Sequence, residues 1–286
     1  LSDMEQIAPY VCGFSDDGKG VQRAEMMEAA MKKAKALGKV ISAHCEDESL
    51  LFGGYIHDGN YAKAHGHKGI SSQSEYAMIA RDIELCEKIG CKYHVCHIST
   101  KEGVDIIRKA KKRGVDVTCE TAPHYLILCE DDLKEDGKFK MNPPLRSKED
   151  RAALIEGIID GTIDMIATDH APHSIDEKGK PLTEAPSGIV GLETSLALGI
   201  TELVKPGCLT LMELMRKMSQ NPAALYHLPY QGIAEGAPAD LVIFAADEEW
   251  KPESFCSKAV NTPFKGWNLT GRVHYTICDG KIVYSL

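Results

Sequence analysis

Residues 93–119 read YHVCHISTKEGVDIIRKAKKRGVDVTC, and this stretch contains the unit that repeats along the chain. An apolar run from Tyr93 to Ile98 precedes a helical period over residues 101–113. Gly114 then ends the helical period, and a second apolar run extends from Val115 to Cys119. A helix that separates two short apolar runs and ends at a glycine is typical of a β–α–β unit in a parallel sheet.

The same alternation extends through the first 200 residues. Further strands are predicted at residues 10–14, 40–44 and 163–168, and further helices at residues 21–37, 75–89, 147–160 and 189–204. Five strands fit either an open doubly wound sheet or a TIM-type (β/α)₈ barrel whose first three units are absent from the chain. The sequence contains no glycine-rich nucleotide-binding loop that would support the doubly wound sheet.

The last 50 residues have a different pattern. Strands are predicted at residues 239–244, 273–278 and 281–284, and Asp279-Gly280 has the composition of a hairpin turn. We therefore expect two parts: a partial barrel over residues 1–230, and a C-terminal β-sandwich segment over residues 231–286 that returns to the barrel.

Composition limits the function classes. The chain has 286 residues, of which 43% are hydrophobic, enough for one large core. The net charge of −9 disfavours nucleic acid and anionic membranes as partners. No apolar run is long enough to span a membrane, and no signal peptide is visible. Ten cysteines without a C-x-x-C pair indicate a reduced, cytoplasmic protein.

Side chains that can bind metals follow four of the predicted strands. They are Asp17, His44, His97 and Asp169, and Asp16 is the alternative to Asp17. The carboxyl ends of parallel strands meet on one face, which holds the active site in such folds. Imidazole and carboxylate groups together suit Zn²⁺ or a similar divalent ion, and a carboxylate can bridge two ions.

The two-residue period of a strand predicts which side chains face the interior of the barrel. If His97 points inward, Tyr93 and Val95 should point inward too. His94 and Cys96 would then face the helix layer.

Seven stretches closely resemble the bacterial type I dihydroorotases of the amidohydrolase superfamily. They are FSDDGKGVQ (14–22), ISAHCED (41–47), HVCHIST (94–100), ETAPHY (120–125), NPPLR (142–146), ATDHAPH (167–173) and GIVGLET (188–194). The resemblance implies a (β/α)₈ barrel with a small β domain and one or two Zn²⁺ ions. It also implies interconversion of dihydroorotate and N-carbamoyl-L-aspartate in pyrimidine biosynthesis.

The resemblance assigns roles residue by residue. The implied metal ligands are Asp17, as a bridging carboxylate, His44, His97 and Asp169. Asp169 would also be the general acid and base that takes a proton from the attacking water. The implied substrate contacts are Asn142, His173 and the backbone of Ser187 and Gly188. The family often has phenylalanine where this chain has Ser187, which puts the packing on the substrate ring in doubt.

The family's His-x-His-x-Arg motif, and the asparagine that follows it, are not found in this sequence. His65-Gly66-His67 is the one His-x-His, and its glycine- and lysine-rich surroundings indicate a solvated loop. We therefore predict a fragment of a longer enzyme, inactive by itself or binding one ion weakly.

Two other functions stay open. One is a related cyclic amidase such as dihydropyrimidinase or allantoinase, although Asp17 in place of a carboxylated lysine favours dihydroorotase. The other is a non-catalytic dihydroorotase-like subunit that supports aspartate transcarbamoylase. The expected assembly of the enzyme is a homodimer.

Overall fold

The structure is a computed structural model that describes residues 1–229 and 232–286. Its strands are β1 (Gly13–Ser15), β2 (Val40–Ala43), β3 (Ile56–His57), β4 (Gly69–Ile70), β5 (Tyr93–Val95), β6 (Val117–Thr121), β7 (Met165–Ile166), β8 (Leu241–Trp250), β9 (Leu269–Cys278) and β10 (Lys281–Ser285).

Most helices alternate with the strands. They are α1 (Met4–Ile7), α2 (Ala24–Ala36), α3 (Asn60–His65), α4 (Gln73–Ile89), α5 (Lys101–Lys112), α6 (Pro123–Ile127), α7 (Lys148–Ile159), α8 (Ile175–Lys178), α9 (Ser195–Gly199), α10 (Leu211–Met215) and α11 (Asn221–Leu225). Short 3₁₀ turns lie at Ala8–Tyr10, Glu48–Leu50, Glu130–Asp132 and Gly137–Phe139, and π-helical turns at Ile200–Val204 and Arg216–Gln220. None of the helices described is long and apolar enough to cross a membrane.

Five strands form one parallel sheet in the order β1-β2-β5-β6-β7. The order follows the chain without the reversal that defines a doubly wound sheet. The helices that cover the sheet are arranged in the same order as the strands, since α2 packs on α4, α4 on α5 and α5 on α7. Beyond β7, a parallel bridge joins His170 to Ile189. This is the arrangement of a (β/α)₈ barrel, so the barrel prediction is confirmed and the open sheet was wrong.

The helices bury the apolar positions that their spacing predicted. On α5, Val104, Ile107 and Ala110 are fully buried, and Met31 and Ala34 are fully buried on α2. One predicted helix differs from its observed form. Residues 189–194 are not helical, and α9 begins only at Ser195.

The C-terminal strands form an antiparallel sheet in the order β10-β9-β8, as the sequence predicted. Asp279 and Gly280 connect β9 to β10 with φ values of 47° and 73°, which suit a tight hairpin turn. The sheet contacts the barrel part where the backbone N–H of Thr270 donates to Thr201 Oγ1 at 2.8 Å. The predicted boundary between residues 230 and 231 lies outside the described residues, so the division into two parts stays a prediction.

Candidate active site

Three of the predicted metal ligands converge at the carboxyl ends of β1, β2 and β5. His44 Nδ1 lies 3.0 Å from His97 Nε2. Asp17 Oδ1 lies 3.8 Å from His44 Nδ1 and 3.5 Å from His97 Nε2. Both imidazoles are buried, whereas the Asp17 side chain is 62% exposed. One oxygen and two nitrogen donors therefore meet at a point that is open to solvent on the Asp17 side.

This donor set fits a metal ion. Two ligand atoms on a tetrahedral zinc are separated by about 3.3 Å, given zinc–nitrogen bonds of about 2.0–2.1 Å. The 3.0 Å between the two imidazole nitrogens is close to that separation. Facing nitrogen lone pairs repel one another unless a proton or a cation lies between them. The arrangement therefore suits a cation held by Asp17, His44 and His97.

The charges of the site influence one another. The close contact with the His97 imidazole outweighs partial burial and lowers the pKa of Asp17 to about 2. Burial would lower the pKa of His97, but the contact with Asp17 and the charge of Asp169 raise it above its usual value. Burial raises the pKa of Asp169, although the charge of His97 opposes this. Asp169 thus belongs to the same electrostatic cluster.

The backbone is left-handed at two of the four predicted metal ligands. His97 has a φ of 36° and Asp169 a φ of 46°. A non-glycine residue in this region costs about 1–3 kcal/mol and is found most often at functional sites. His97 lies two residues beyond the end of β5, and Asp169 lies three residues beyond the end of β7.

The left-handed turn at His97 explains why one prediction was wrong. Tyr93 donates its hydroxyl hydrogen to Asp82 Oδ2 at 2.7 Å, and Asp82 lies on α4. Tyr93 therefore faces the helix layer, and strand alternation puts His94 on the opposite face. His97 does not continue the alternation because its own backbone departs from the extended conformation.

The two neighbouring aspartates have different surroundings. Asp16 accepts backbone hydrogen bonds at both oxygens, from His44 N at 2.9 Å and from Val21 N at 2.7 Å. Asp17 directs Oδ1 toward the two imidazoles. The geometry favours Asp17 over Asp16 as the ligand, because both Asp16 oxygens already hold the surrounding loop.

Glu46 was not singled out from the sequence, although it lies in the ISAHCED stretch. Its Oε2 is 3.5 Å from His44 Nε2 and accepts a hydrogen bond from Asn142 Nδ2 at 3.2 Å. Burial would raise the pKa of Glu46, but the nearby His44 imidazole lowers it, together with the hydrogen bond from Asn142 and the charge of Arg146. Glu46 therefore links the predicted substrate residue Asn142 to the Asp17–His44–His97 group. The Asn142 Oδ1 atom is buried and has no hydrogen-bond partner within residues 1–229 and 232–286.

The other predicted substrate residues form a second group. His173 Nε2 donates to the carbonyl oxygen of Ser187 at 2.8 Å. Gly188 has a φ of 120°, and a Cβ atom there would lie 2.4 Å from Ala171 Cβ, so a side chain would clash. The backbone N–H of Gly188 donates to Lys140 O at 3.0 Å, two residues before Asn142. A backbone hydrogen bond therefore joins the segment that carries Gly188 to the segment that carries Asn142.

Asn261 holds this second group together, and no local sequence pattern predicted it. Its Oδ1 accepts a hydrogen bond from the backbone N–H of His173 at 3.2 Å. Its Nδ2 donates to the carbonyl oxygens of Ala171 and Gly188, at 3.2 Å and 3.1 Å. A residue from the C-terminal segment thus anchors both loops that carry the predicted substrate contacts.

Lys178 is a second anchor. The side chain is 2% exposed, and Nζ donates to Lys140 O at 3.0 Å and to Pro186 O at 2.8 Å. Burial lowers the pKa of Lys178 to about 8. Lys178 closes α8, whose start is capped by Ser174 and Glu177.

His65-Gly66-His67 lies apart from the metal centre. It closes α3, where Gly66 has a φ of 72°. His67 Nε2 binds Glu135 Oε1 at 2.8 Å, and Nδ1 binds the Tyr55 hydroxyl group at 2.8 Å. The segment is therefore the end of a helix with a hydrogen-bonded His67. The loop prediction was wrong at His65, the last residue of α3, although His65 is exposed as predicted.

Comparison with known proteins agrees with this geometry. The model of the amidohydrolase family matches residues 4–283. The chain is 54% identical to the dihydroorotase of Shouchella clausii over 274 residues, which are 95% of this chain and 64% of that protein. It is 52% identical to the dihydroorotase of Brevibacillus brevis over 279 residues, or 96% of this chain and 66% of that protein.

A solved structure has the same fold. The L-hydantoinase (dihydropyrimidinase) from Arthrobacter aurescens superposes with a TM-score of 0.82 at 30% identity, covering 96% of this chain and 63% of that one. The chain thus spans somewhat less than two thirds of the length of the relatives that it matches. From the barrel order, the grouping of metal-binding side chains and the match over residues 4–283, the chain belongs to the amidohydrolase family.

Proposed function

We propose that this chain forms the metal-binding part of a zinc-dependent dihydroorotase, which interconverts dihydroorotate and N-carbamoyl-L-aspartate in pyrimidine biosynthesis. The observation that carries the proposal is the convergence of Asp17, His44 and His97 in a chain 54% identical to a dihydroorotase. The proposed metal ligands are these three residues and Asp169, with Asp17 as the bridging carboxylate. One or two zinc ions would be bound.

The bound zinc would polarise the ring amide carbonyl and make the attacking water more acidic. Asp169 would accept the proton of this water and deliver it to the departing ring nitrogen. The electrostatic influence of Asp169 and His97 on one another supports this role, since it puts the carboxylate near the proposed metal ligands. When N-carbamoyl-L-aspartate is cyclised, the same carboxylate would take the proton from the attacking nitrogen and deliver it to the departing water.

The proposed substrate contacts come from both loop groups. The buried Asn142 Oδ1 has no hydrogen-bond partner and is suited to accept an N–H group of the substrate. His173 and the backbone of Ser187 and Gly188 would bind the remaining polar groups of the ring. Ser187 offers no aromatic face, so recognition at this point would depend on hydrogen bonds.

Two alternative functions fit the chain less well. The similarity to a hydantoinase structure favours a related cyclic amidase, but the carboxylate of Asp17 at the imidazole pair favours dihydroorotase. A non-catalytic partner of aspartate transcarbamoylase would have no need for three converging metal donors. A cytoplasmic homodimer that acts on a small molecule fits the proposed activity.

The test uses the full-length protein and measures zinc per chain together with turnover of dihydroorotate, N-carbamoyl-L-aspartate, dihydrouracil and hydantoin. We expect bound zinc and turnover of the first two compounds at a far higher kcat/KM than of the others. Faster turnover of hydantoin or dihydrouracil would assign the chain to the related amidases. Absence of both zinc and turnover, with co-purification of a transcarbamoylase, would support the non-catalytic alternative.

A further inference from the structure

A second group of metal-binding side chains lies outside the centre described above. His94 on β5, Cys96 just after β5, and Glu120 on β6 each offer one ligand atom, and these atoms lie within 4.8 Å of one another. His94 Nε2 is 3.3 Å from Glu120 Oε2. None of the three residues belongs to the Asp17–His44–His97 group.

The imidazole of His94 is held in place from its other side. Its Nδ1 is hydrogen-bonded to Thr118 Oγ1 at 2.8 Å. When Nδ1 carries the proton and donates to Thr118, the Nε2 lone pair faces Cys96 and Glu120. A partner of this kind, which fixes the ring and leaves the opposite nitrogen free, is usual for metal-binding histidines.

Among the residues that the structure describes, none gives the Nε2 atom of His94 a hydrogen bond, although the side chain is fully buried. An ordinary histidine–glutamate hydrogen bond would satisfy this nitrogen, but the contact with Glu120 lacks the required geometry. A buried polar atom without a hydrogen-bond partner is costly, and a bound cation would satisfy this nitrogen.

We propose that His94, Cys96 and Glu120 form a second site for a thiophilic divalent cation such as Zn²⁺. One nitrogen, one sulfur and one oxygen are all donors that zinc accepts, and three protein ligands leave a fourth position for water. A thiolate and a carboxylate together balance the charge of the ion, while His94 binds as the neutral imidazole. The ion would tie the end of β5 to β6 beside the first centre.

Cobalt distinguishes this site from the first one, because only a thiolate ligand gives a sulfur-to-cobalt charge-transfer band in the near ultraviolet. The metal-free, full-length protein is titrated with Co²⁺ while this band and the bound cobalt per chain are measured. We expect the band in the wild type. Cys96→Ser should remove the band together with one equivalent of bound cobalt.

Two further variants separate the sites. Asp17→Asn should weaken the first centre and leave the charge-transfer band intact, so the result does not depend on the proposed activity. Glu120→Gln keeps the shape of the side chain and should weaken the cobalt affinity reported by the band roughly tenfold or more. Circular dichroism and thermal unfolding show whether each variant is folded.

The matched control is Cys12→Ser, since Cys12 is an exposed cysteine. This variant should keep the band at full intensity. A band that survives Cys96→Ser, or a wild type that binds cobalt without any thiolate band, would overturn the proposal.

Discussion

His44 Nδ1 and His97 Nε2 lie 3.0 Å apart, although 53 residues separate them in the chain. The contact exists because β2 and β5 are parallel neighbours, paired from Ile41 with Tyr93 to Ala43 with Val95. Both strands therefore end at the same level, and the histidine after each strand reaches the same point.

Removal of either imidazole should empty the first centre. We expect His97→Ala to lower zinc affinity by about 10²-fold or more, because one of the few protein ligands is lost. The measurement is zinc per chain after dialysis against a weak chelator. His65→Ala is the control, since His65 is exposed and lies on α3. Unchanged zinc in His97→Ala would contradict the assignment.

Substitution of Asp17 should affect zinc binding, whereas substitution of Asp16 should affect stability. Asp17→Asn should reduce bound zinc with little change in stability, since the side chain is largely exposed. Asp16→Ala should lower the free energy of unfolding by about 2 kcal/mol, because the backbone N–H groups of His44 and Val21 lose their acceptor. Zinc titration and urea unfolding of both variants measure the two effects. Loss of zinc only in the Asp16 variant would exchange the two roles.

Lys178 should act as a positioning residue. Lys178→Met leaves the carbonyl oxygens of Lys140 and Pro186 without their donor, so the segments that carry Asn142 and Ser187 should separate. We expect KM for dihydroorotate to rise about tenfold, equal to about 1.4 kcal/mol, with zinc content unchanged. Lys180→Met is the control, because Lys180 is exposed. A fall in kcat at constant KM would argue against a role in positioning the substrate.

His57 should make the fold sensitive to acid. Burial, reinforced by the charge of Arg146, lowers the pKa of His57 from 6.5 to about 4. Between these values the unfolded chain binds more protons than the folded chain, so stability falls as the pH decreases through this window. A pKa shift of this size corresponds to a change of about 3 kcal/mol in the free energy of unfolding.

The variant His57→Asn should lack the part of the acid sensitivity that comes from His57. Urea unfolding at pH 7 and at pH 4 is compared for the wild type and the variant, so that the effect of other titrating groups cancels. The wild type should lose more stability than the variant over this range. His65→Asn is the control, and equal losses in wild type and His57→Asn would show that His57 is not the responsible group.

The convergence of Asp17, His44 and His97 could be predicted from the sequence, because it follows from the order of the strands along the chain. A short apolar run fixes each strand, and parallel strands in one sheet must end on one face. The positions of Asp17, His44 and His97 could therefore be inferred without knowing any contact between them.

Other features were beyond the reach of sequence patterns. The orientation of Tyr93 was predicted wrongly because a left-handed residue, His97, ends the alternation on which the prediction depended. Glu46 and Asn261 act through partners far away in the chain, Asn142 and His173. Their neighbours in the sequence contain no sign of those contacts.

The contacts of Asn261 also have a consequence for biosynthesis. The loops at residues 171–173 and 187–188 leave the ribosome long before residue 261 does. Until Asn261 emerges, the carbonyl oxygens of Ala171 and Gly188 and the N–H group of His173 have no amide side chain to bind. During translation, the strand ends at Asp17, His44 and His97 can therefore assemble early, and the loops at residues 171–173 and 187–188 reach their final shape only after Asn261 has emerged.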